Sequence, residues 1–565
     1  MAERVYARRA TGLVREIGIT TAVIIAIANV VGLGWQKRVF QSTGWTPLSE
    51  DRFFLGIHPV VMAFLIAGIV ILISLYVFAM LSAAMPRSGG GYIFISRIIG
   101  PGWGFVATWL QFWAVAVSYG LIAVAVMEAV WLFGGVAGIT LPSWLLTPWG
   151  LFFSGVVIVA IFSTIASFGI KMTGYLLHAI FWIPAAVLVI IYIIFLTASP
   201  STMEAGVKAI WGHEAIEYTK AAIAQGMADI AAKNSYWGAV ASALLAAYWA
   251  YIGYAAASFV AGEVKEAHKT LPRAMFISGL VIIFIYMTIS TLMARAAMMA
   301  GRVTTEQGTF SLMSAMGFLN YGGGSFADAG LPKIGGWMPM VAAMQAAGMG
   351  MKWVLPLLVF FAALWVANDI PPFILTTSRM IFAMAFDRLL PPKLAEVNEK
   401  WHSPVNAIIF VSLVSVLFGC TSEANLFGPD GLNWGWLHPI LSSAGAIAAT
   451  DLWDIIFFTI VAAAGALFPI RKPEVFERSP FRLSRTWTIV LGVLATLFNF
   501  ILFWIVAASP KAWNLFGIRS FRDALPFLFT LFLAAVGYLI YWYYSNEARR
   551  TGVELKTIFT ELPPD

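Results

Sequence analysis

Charged residues and cysteine are both scarce in this sequence. Only 11% of the 565 residues are Asp, Glu, Lys or Arg, and 60% are hydrophobic, whereas soluble domains carry about 25% charged residues. These proportions exclude a water-soluble globular protein. Cys420 is the only cysteine, so the chain can form neither an internal disulfide nor a cysteine-based metal site. A net charge of +7 would suit nucleic acid in a soluble protein, but for this apolar chain we expect no nucleic acid partner.

Long apolar runs fill most of the chain instead. They continue for about 20 residues or more, the length that crosses a bilayer as a helix, whereas the strands of a membrane barrel alternate over about 10 residues. The sequence therefore predicts an all-α polytopic membrane protein. We number the predicted spans 1 to 12 and place them near residues 17–35, 59–84, 103–133, 150–169, 174–198, 236–261, 274–297, 353–385, 404–421, 451–470, 487–508 and 524–544.

The distribution of Lys and Arg indicates how these spans are oriented. An even number of spans puts both ends of the chain on one side, and 22 of the 35 Lys and Arg residues fall on that side. Short cytoplasmic loops are enriched in Lys and Arg. We therefore predict a multi-pass protein of the cell membrane whose tails, 1–16 and 546–565, are cytoplasmic.

Two loops on the predicted outer side are long. Residues 199–235 mix acidic residues with Ala-rich stretches, which predicts short surface helices. Residues 298–350 contain the consecutive glycines Gly322 to Gly324 and are predicted to form an irregular lid. Glu128, near the outer end of span 3, is expected to be solvated.

Span 1 is interrupted by Gly32-Leu33-Gly34, preceded by Asn29. Unwound backbone at membrane depth is tolerated where it faces protein, a ligand or water. The free N–H groups of such a half-helix suit an anionic group, for example the carboxylate of an amino acid. Close helix packing through small residues is the alternative interpretation.

Span 6 carries the corresponding break in the second half of the chain. Gly253 lies among Tyr248, Trp249, Tyr251 and Tyr254. Interrupted helices at corresponding positions of two halves indicate a transporter binding site near the midplane of the bilayer. An aromatic cluster alone is also typical of ordinary packing.

Four motifs in the same order give the chain a family resemblance. They are Gly32-Leu33-Gly34, MPRSGGGYIFISR from Met85 to Arg97, Gly262-Glu263-Val264-Lys265 followed by Leu271-Pro272-Arg273, and SRMIFAMAFDRLLPP from Ser378 to Pro392. With them the chain resembles the amino acid, polyamine and organocation (APC) superfamily of permeases. The resemblance implies two inverted five-helix repeats, 17–198 and 236–470, separated by the outer loop 199–235 and followed by spans 11 and 12 within 471–545.

The resemblance also implies where a substrate binds. Its carboxylate would contact the backbone of Gly32 to Gly34, its amino group would lie near the carbonyls of Trp249 to Ile252, and Trp249 matches a gating position of some relatives. The predicted substrate-binding residues are Asn29, Gly32, Leu33, Gly34, Tyr248, Trp249, Tyr251, Ile252, Gly253, Tyr254 and Ala255.

Two positions depart from the family pattern. Ala255 stands where many relatives have an acidic residue, which makes basic amino acids and polyamines less suitable substrates. Pro184 stands where some proton-coupled relatives have a Lys in span 5, so coupling through that Lys does not carry over to this chain.

Asp369 lies near the middle of span 8. A charged Asp at a helix centre costs about 2.5 to 3.5 kcal/mol on insertion scales, so we expect it to face the bundle interior and to be functional. We predict that Asp369, with Asn368 beside it, couples transport to an ion by taking a proton or by ligating Na⁺. His178 in span 5 is a weaker candidate for the same role. The alternative is that Asn368 and Asp369 satisfy backbone groups freed by Pro371 and Pro372.

Charges also gather at the predicted inner ends of spans 1 and 6. Arg15 and Glu16 precede span 1, and Glu263 and Lys265 follow the break of span 6. Arg15 and Glu263 are therefore candidates for an inner gate that closes by ion pairing. Ordinary interfacial charges are the alternative interpretation.

Enzyme motifs are missing from the sequence. There is no Walker-type phosphate loop, and the six His residues lack metal-ligand spacing. We predict no enzyme activity and no cofactor beyond a coupling ion, H⁺ or Na⁺. The predicted function is secondary active transport of an amino acid, neutral by preference, by alternating access within the lipid bilayer, with H⁺ as the preferred coupling ion and Na⁺ as the other. The alternatives are an exchanger of amines or organic cations, held by cation–π contacts, and a substrate sensor on the same fold.

Overall fold

Helices make up nearly all of the regular structure. The computed structural model describes residues 11–509, 513–553 and 555–560. Within these ranges the strands are limited to one short antiparallel pair, Val303–Thr305 with Gly308–Phe310. The predicted all-α class is confirmed.

Ten helices among the described residues are long and apolar enough to cross a membrane. They are span 2 (Pro59–Ala84), span 3 (Pro101–Val136), span 4 (Pro148–Ser167), span 5 (Ile170–Leu196), span 7 (Ala267–Met298), span 8 (Val354–Phe386), span 9 (Val405–Glu423), span 10 (Ser443–Arg471), span 11 (Arg485–Ala508) and span 12 (Phe521–Arg550). Span 8 turns at Asn368 and Asp369, between Val354–Ala367 and Ile370–Phe386, and span 9 contains a π-helix at Ser415–Cys420.

The two remaining spans are interrupted, as predicted. Span 6 consists of Tyr236–Tyr251 and a short helix Ala256–Phe259. Gly253 lies between them with φ +112°, a backbone conformation that L side chains rarely adopt. The first helix of span 6 therefore ends just before a glycine, at which the backbone can turn.

Span 1 runs from Ile19–Ala28 through turns at 29–33 into a π-helix, Gly34–Arg38, and then Val39–Trp45. The prediction ended this span near residue 35, and that boundary is wrong. Lys37 and Arg38 look like the start of a polar loop, but both are buried in the continuing helix. With the two interrupted spans, the described residues contain helical segments at all twelve predicted positions.

The first and last described residues lie on one face, which we call the terminal face. Thr11 lines a small cavity there with Asp387, whose carboxylate pairs with Arg97. Arg97 in turn lies over the ring of Phe559. Predicted cytoplasmic loops therefore meet at this face, and the predicted outer loops lie on the opposite face.

The long loops of the opposite face are largely helical. Residues 199–235 form Pro200–Trp211, Ala215–Ala224 and Met227–Lys233, in agreement with the predicted short helices. Residues 298–350 were predicted to be irregular, which is wrong, because they contain the buried helices Leu312–Tyr321 and Met338–Gly348. We call Leu312–Tyr321 the cap helix. Shorter helices elsewhere are Glu50–Arg52, Phe54–Gly56, Gly91–Ile98, Ser143–Leu146, Ala261–Glu263, Pro392–Ala395, Pro473–Arg478 and Leu555–Thr560.

Burial separates inner spans from peripheral ones. Spans 2, 3, 8 and 10 bury most of their side chains, whereas spans 4, 11 and 12 expose large apolar residues such as Phe153, Trp487 and Leu539. A helix surface of this kind is stable against lipid rather than water. The polar residues of the candidate site thus lie inside a bundle whose outside is apolar.

Candidate functional site

The breaks of spans 1 and 6 contact each other inside the bundle. A Cβ atom added at Gly253 would overlap Asn29, and one added at Gly34 would meet the backbone of Ala250. Both glycines therefore allow a backbone approach that no larger residue permits. The predicted pairing of the two breaks matches this geometry.

Tyr286 of span 7 joins the two breaks by one hydroxyl group. Its Oη lies 2.5 Å from the carbonyl oxygen of Val30 in span 1 and 2.8 Å from that of Ala250 in span 6. A phenol has a single proton to donate, so the two carbonyls share it. Rings of Phe64, Tyr251 and Trp35 surround the Tyr286 ring at 5.1, 4.9 and 6.2 Å.

Asp369 contacts the break of span 1 from the other side. The backbone N–H of Leu33 donates to its Oδ2 at 3.3 Å, and a Cβ atom added at Gly32 would overlap the carboxylate. Asp369 is 3% exposed and its Oδ1 has no hydrogen-bond partner among the described residues. Within the same residues no Lys, Arg or His side chain approaches the carboxylate to ion-pair distance.

This contact bears on both interpretations of Asp369. The carboxylate bonds across to span 1 rather than to the backbone turn that precedes Pro371 and Pro372. It occupies an N–H group that the family resemblance assigns to the substrate carboxylate. Asn368 is fully buried and neither of its amide atoms has a partner among the described residues, so it does not satisfy that turn either.

The predicted aromatic residues of span 6 point in different directions. Tyr248 donates to Oδ1 of Asn499 in span 11, and Tyr251 donates to the carbonyl of Phe64 in span 2. Tyr254 packs between the rings of Phe78 and Phe458, at 5.6 and 5.2 Å.

Of the four aromatic residues, Trp249 faces span 1, with the Arg38 guanidinium 5.1 Å from its ring centre. Ile252 and Ala255 are buried beside the break. In this conformation the tyrosines do not form a common cage.

A group of buried charges lies between the break and the opposite face. Lys37 Nζ is 2.5 Å from Oε2 of Glu128 and 3.0 Å from Oε1 of Glu423, and Arg38 NH2 is 3.7 Å from Oε2 of Glu423. We call these four residues the buried charge cluster. Glu128 was expected to be solvated; 31% of its side chain is exposed, and its carboxylate also pairs with Lys37 of span 1.

Two further acidic residues, Asp451 and Asp454, lie in span 10 and were not predicted. Both are almost fully buried, and Asp451 has no hydrogen-bond partner for either oxygen among the described residues. The positive charge of Arg38 acts on Asp451, and Gln111 of span 3 lies against Asp454. Two acidic residues three positions apart in an otherwise apolar span were a signal that sequence analysis could have used.

The terminal face is closed beneath the breaks. The carboxylate of Glu263 accepts from Nε and NH2 of Arg379, at 2.9 and 2.6 Å, with both side chains buried. Ile17 and Val264 form a parallel β-bridge. Arg15 and Glu263 were predicted as a gate pair, but the partner of the Glu263 carboxylate in this structure is Arg379.

His178 takes part in a small hydrogen-bond group of its own. Its Nε2 is 3.2 Å from the hydroxyl of Thr21 in span 1, and its Nδ1 accepts from the indole N–H of Trp182 at 3.2 Å. Both ring nitrogens thus have partners. This geometry fits a structural role and does not connect His178 to Asp369.

Helices that stop and restart inside a membrane bundle, with freed backbone groups facing each other, are the structural signature of secondary transporters. The chain belongs to the amino acid permease family, which matches residues 17–521. It is therefore a membrane transport protein of that family.

Similarity to individual relatives is distant but covers much of the chain. The chain is 20% identical over 575 residues to the human large neutral amino acids transporter small subunit 2, and the alignment covers 97% of this chain and 85% of that protein. It is 24% identical over 422 residues to the branched-chain amino acid permease BcaP of Bacillus subtilis, covering 72% and 75%. It is 23% identical over 409 residues to an uncharacterized transporter of Mycobacterium tuberculosis, covering 72% and 74%.

Proposed function

We propose that the protein is a secondary active transporter that carries a neutral amino acid into the cell together with H⁺, by alternating access. The observation that carries this proposal is the contact between the two helix breaks, with Asp369 hydrogen-bonded to the Leu33 N–H. The names of the relatives support a neutral substrate, since they mention large neutral and branched-chain amino acids.

In the proposed complex the two breaks hold the two charged groups of the amino acid. The N–H groups around Leu33 bind the carboxylate, and the carbonyls of Val30 and Ala250 accept from the ammonium group. Backbone groups can do this because the breaks leave them outside any helical hydrogen-bond ladder. The side chain of the substrate remains free to contact apolar residues, which suits a neutral amino acid.

Coupling to H⁺ follows from competition at Leu33. Two carboxylates about 4 Å apart repel by about 4 kcal/mol at an effective dielectric constant of 20. An arriving substrate carboxylate therefore favours the protonated form of Asp369, and the pair moves as amino acid plus proton. Tyr286 of span 7 is a titratable group near enough to feel the charge of Asp369. Na⁺ bound by Asp369 and Asn368 is the alternative coupling ion.

A second candidate function is transport of an organic cation. Asp369, Asp451 and Asp454 are buried carboxylates without a basic group at ion-pair distance within the described ranges. A cationic substrate would supply the missing positive charge. It would also replace the acidic partner that Ala255 removes from span 6.

Transport by the purified full-length chain in proteoliposomes tests these proposals. Labelled leucine, lysine and putrescine are compared under an inward pH gradient, an inward Na⁺ gradient, and counterflow with unlabelled compound inside. We expect leucine to accumulate under the pH gradient alone, and Asp369→Asn to abolish accumulation while counterflow continues. The exposed Asp328→Asn is the matched control.

The contrary outcomes separate the alternatives. Accumulation of leucine under the Na⁺ gradient alone would replace H⁺ by Na⁺. Movement of putrescine without leucine would favour the organic cation. Saturable binding of leucine without any movement would favour a sensor.

We also propose that the terminal face is cytoplasmic, since it carries most of the basic residues. Protease accessibility of a tag on the C-terminal tail, in intact and in broken cells, tests this orientation. A tag that is cleaved in intact cells would reverse it.

A further inference from the structure

Every polar group freed by the two helix breaks would need a partner if the transporter were to close without substrate. In this structure Asp369 and Tyr286 are buried, and their side chains contact the backbone groups that the proposed function gives to the amino acid. A carboxylate, that of Asp369, accepts from the Leu33 N–H at 3.3 Å. A hydroxyl donor, that of Tyr286, lies 2.5 Å from the Val30 carbonyl and 2.8 Å from the Ala250 carbonyl.

We infer that Asp369 and Tyr286 stand in for the carboxylate and the ammonium group of the substrate when the carrier is empty, so that the empty carrier can close and return. This inference rests on the proposed function, because that function assigns the two ends of the substrate to these backbone groups. The Asp369 carboxylate accepts a hydrogen bond as the substrate carboxylate would, and the Tyr286 hydroxyl donates one as the ammonium group would.

Both stand-in side chains are buried. Asp369 is 3% exposed and Tyr286 is fully buried, with aromatic rings around it. No solvent therefore reaches these hydrogen bonds at either residue. An unpaired backbone group in such surroundings is strongly unfavourable. Asp369 removes that penalty at the Leu33 N–H and Tyr286 removes it at the Ala250 carbonyl, whereas the Val30 carbonyl also accepts from the Gly32 N–H at 3.0 Å.

The consequence concerns the mode of transport. A carrier whose breaks are satisfied by substrate alone cannot pass empty through the closed state, and it works as an obligatory exchanger. A carrier with stand-in groups can return empty, and it moves substrate in one net direction. The structure therefore assigns this protein to net transport, with Tyr286 as a positioning residue that was not expected from its sequence.

Substitutions separate the stand-in role from binding. Tyr286→Phe removes the donor to the two carbonyls but keeps the ring. Asp369→Ala removes the acceptor for the Leu33 N–H, whereas Asp369→Asn keeps a side-chain oxygen that can accept from it. Tyr192→Phe is the matched control. Tyr192 of span 5 is hydrogen-bonded at 2.6 Å to Thr288, which lies in span 7 like Tyr286, and not to the backbone of either break.

Two leucine fluxes are compared in proteoliposomes: net downhill uptake into vesicles without internal leucine, and counterflow into vesicles that contain it. For Tyr286→Phe we expect net uptake to fall about 10-fold or more, with counterflow within about 2-fold of the unsubstituted protein. Asp369→Ala should lower net uptake more than it lowers counterflow. Asp369→Asn should lose less of its downhill net uptake than Asp369→Ala does, and Tyr192→Phe should keep both fluxes. Equal losses of net uptake and counterflow in Tyr286→Phe, or no loss of either, would overturn the inference.

A second measurement needs no substrate and so separates this inference from the proposed function. Maleimide labelling is followed in protein without leucine at one introduced cysteine per face, Ser88→Cys in the cavity of the terminal face and Ser314→Cys in the cavity of the opposite face, both with Cys420→Ser. Tyr286→Phe should speed labelling about 10-fold at one of the two positions, because the empty closed state loses its stand-in donor. Unchanged labelling at both positions would refute the stand-in role even if leucine is transported, whereas faster labelling would support it even if leucine is not the substrate.

Discussion

The ion pair between Glu263 and Arg379 provides the sharpest stability prediction. Both side chains are buried and two hydrogen bonds, of 2.9 and 2.6 Å, join them. Removing one partner of such a pair leaves an uncompensated charge inside the protein, which costs about 3 to 5 kcal/mol. We therefore expect Glu263→Leu and Arg379→Met each to lower the free energy of unfolding by that amount.

Replacing both partners has a different expected result. A buried ion pair exchanged for apolar residues of similar volume is often neutral or stabilising. The double variant Glu263→Leu with Arg379→Met should therefore regain most of the stability lost in either single variant. The difference between the double loss and the sum of the single losses gives a coupling energy of at least about 3 kcal/mol.

Equilibrium denaturant titration in mixed detergent micelles measures these free energies. The matched control is Glu477→Leu, which breaks the exposed pair of Glu477 with Arg482 at the terminal face and should cost less than about 1 kcal/mol. Single losses below about 1 kcal/mol at Glu263 and Arg379, or a double variant as unstable as the sum of the singles, would refute the reasoning that this pair is desolvated and mutually dependent.

Three further predictions follow from close packing and burial inside the bundle. Gly32→Ala should abolish leucine counterflow, since its Cβ would overlap the Asp369 carboxylate. The control Gly18→Ala has open space around the added Cβ and should transport leucine normally, and an active Gly32→Ala would contradict the observed packing. In the buried charge cluster, Glu423→Gln should destabilise the protein by about 2 kcal/mol more than Glu128→Gln, because the side chain of Glu423 is 2% exposed and that of Glu128 is 31% exposed. Denaturant titration measures both losses of stability, and equal losses would argue against the difference in desolvation. The native protein should react with maleimide at least about 100-fold more slowly than the denatured protein, because Cys420 is fully buried; rapid labelling of the folded protein would show that span 9 opens readily.

The helix breaks were predictable because their causes are local. Glycine at residues 32, 34 and 253 interrupts apolar sequence, and each position needs a glycine for a turn or a close contact. Asp369 was also recognisable, as a lone acidic residue in an apolar run. Its hydrogen-bond partner Leu33 was not, since 336 positions separate the two residues and their meeting is set by tertiary packing.

Other residues of the site had no usable local signal or a misleading one. Tyr286 is one tyrosine in an apolar span, and nothing near it in sequence indicates that it bonds to two distant carbonyls. Lys37 and Arg38 resemble the beginning of a loop because charge ordinarily ends an apolar run. Glu128 and Glu423 from other spans pair with them and so help to make their burial possible. Long-range charge pairing thus determined where span 1 ends.

The glycine contact between span 1 and the cap helix has a practical consequence. Gly44 and Gly317 approach so closely that a Cβ atom on either would meet the backbone of the other helix. The two helices must therefore shift together whenever the second half of span 1 tilts. An antibody fragment bound to the loop that follows the cap helix, where Asp328 is exposed, would hold both helices in place and stop transport without entering the substrate pathway.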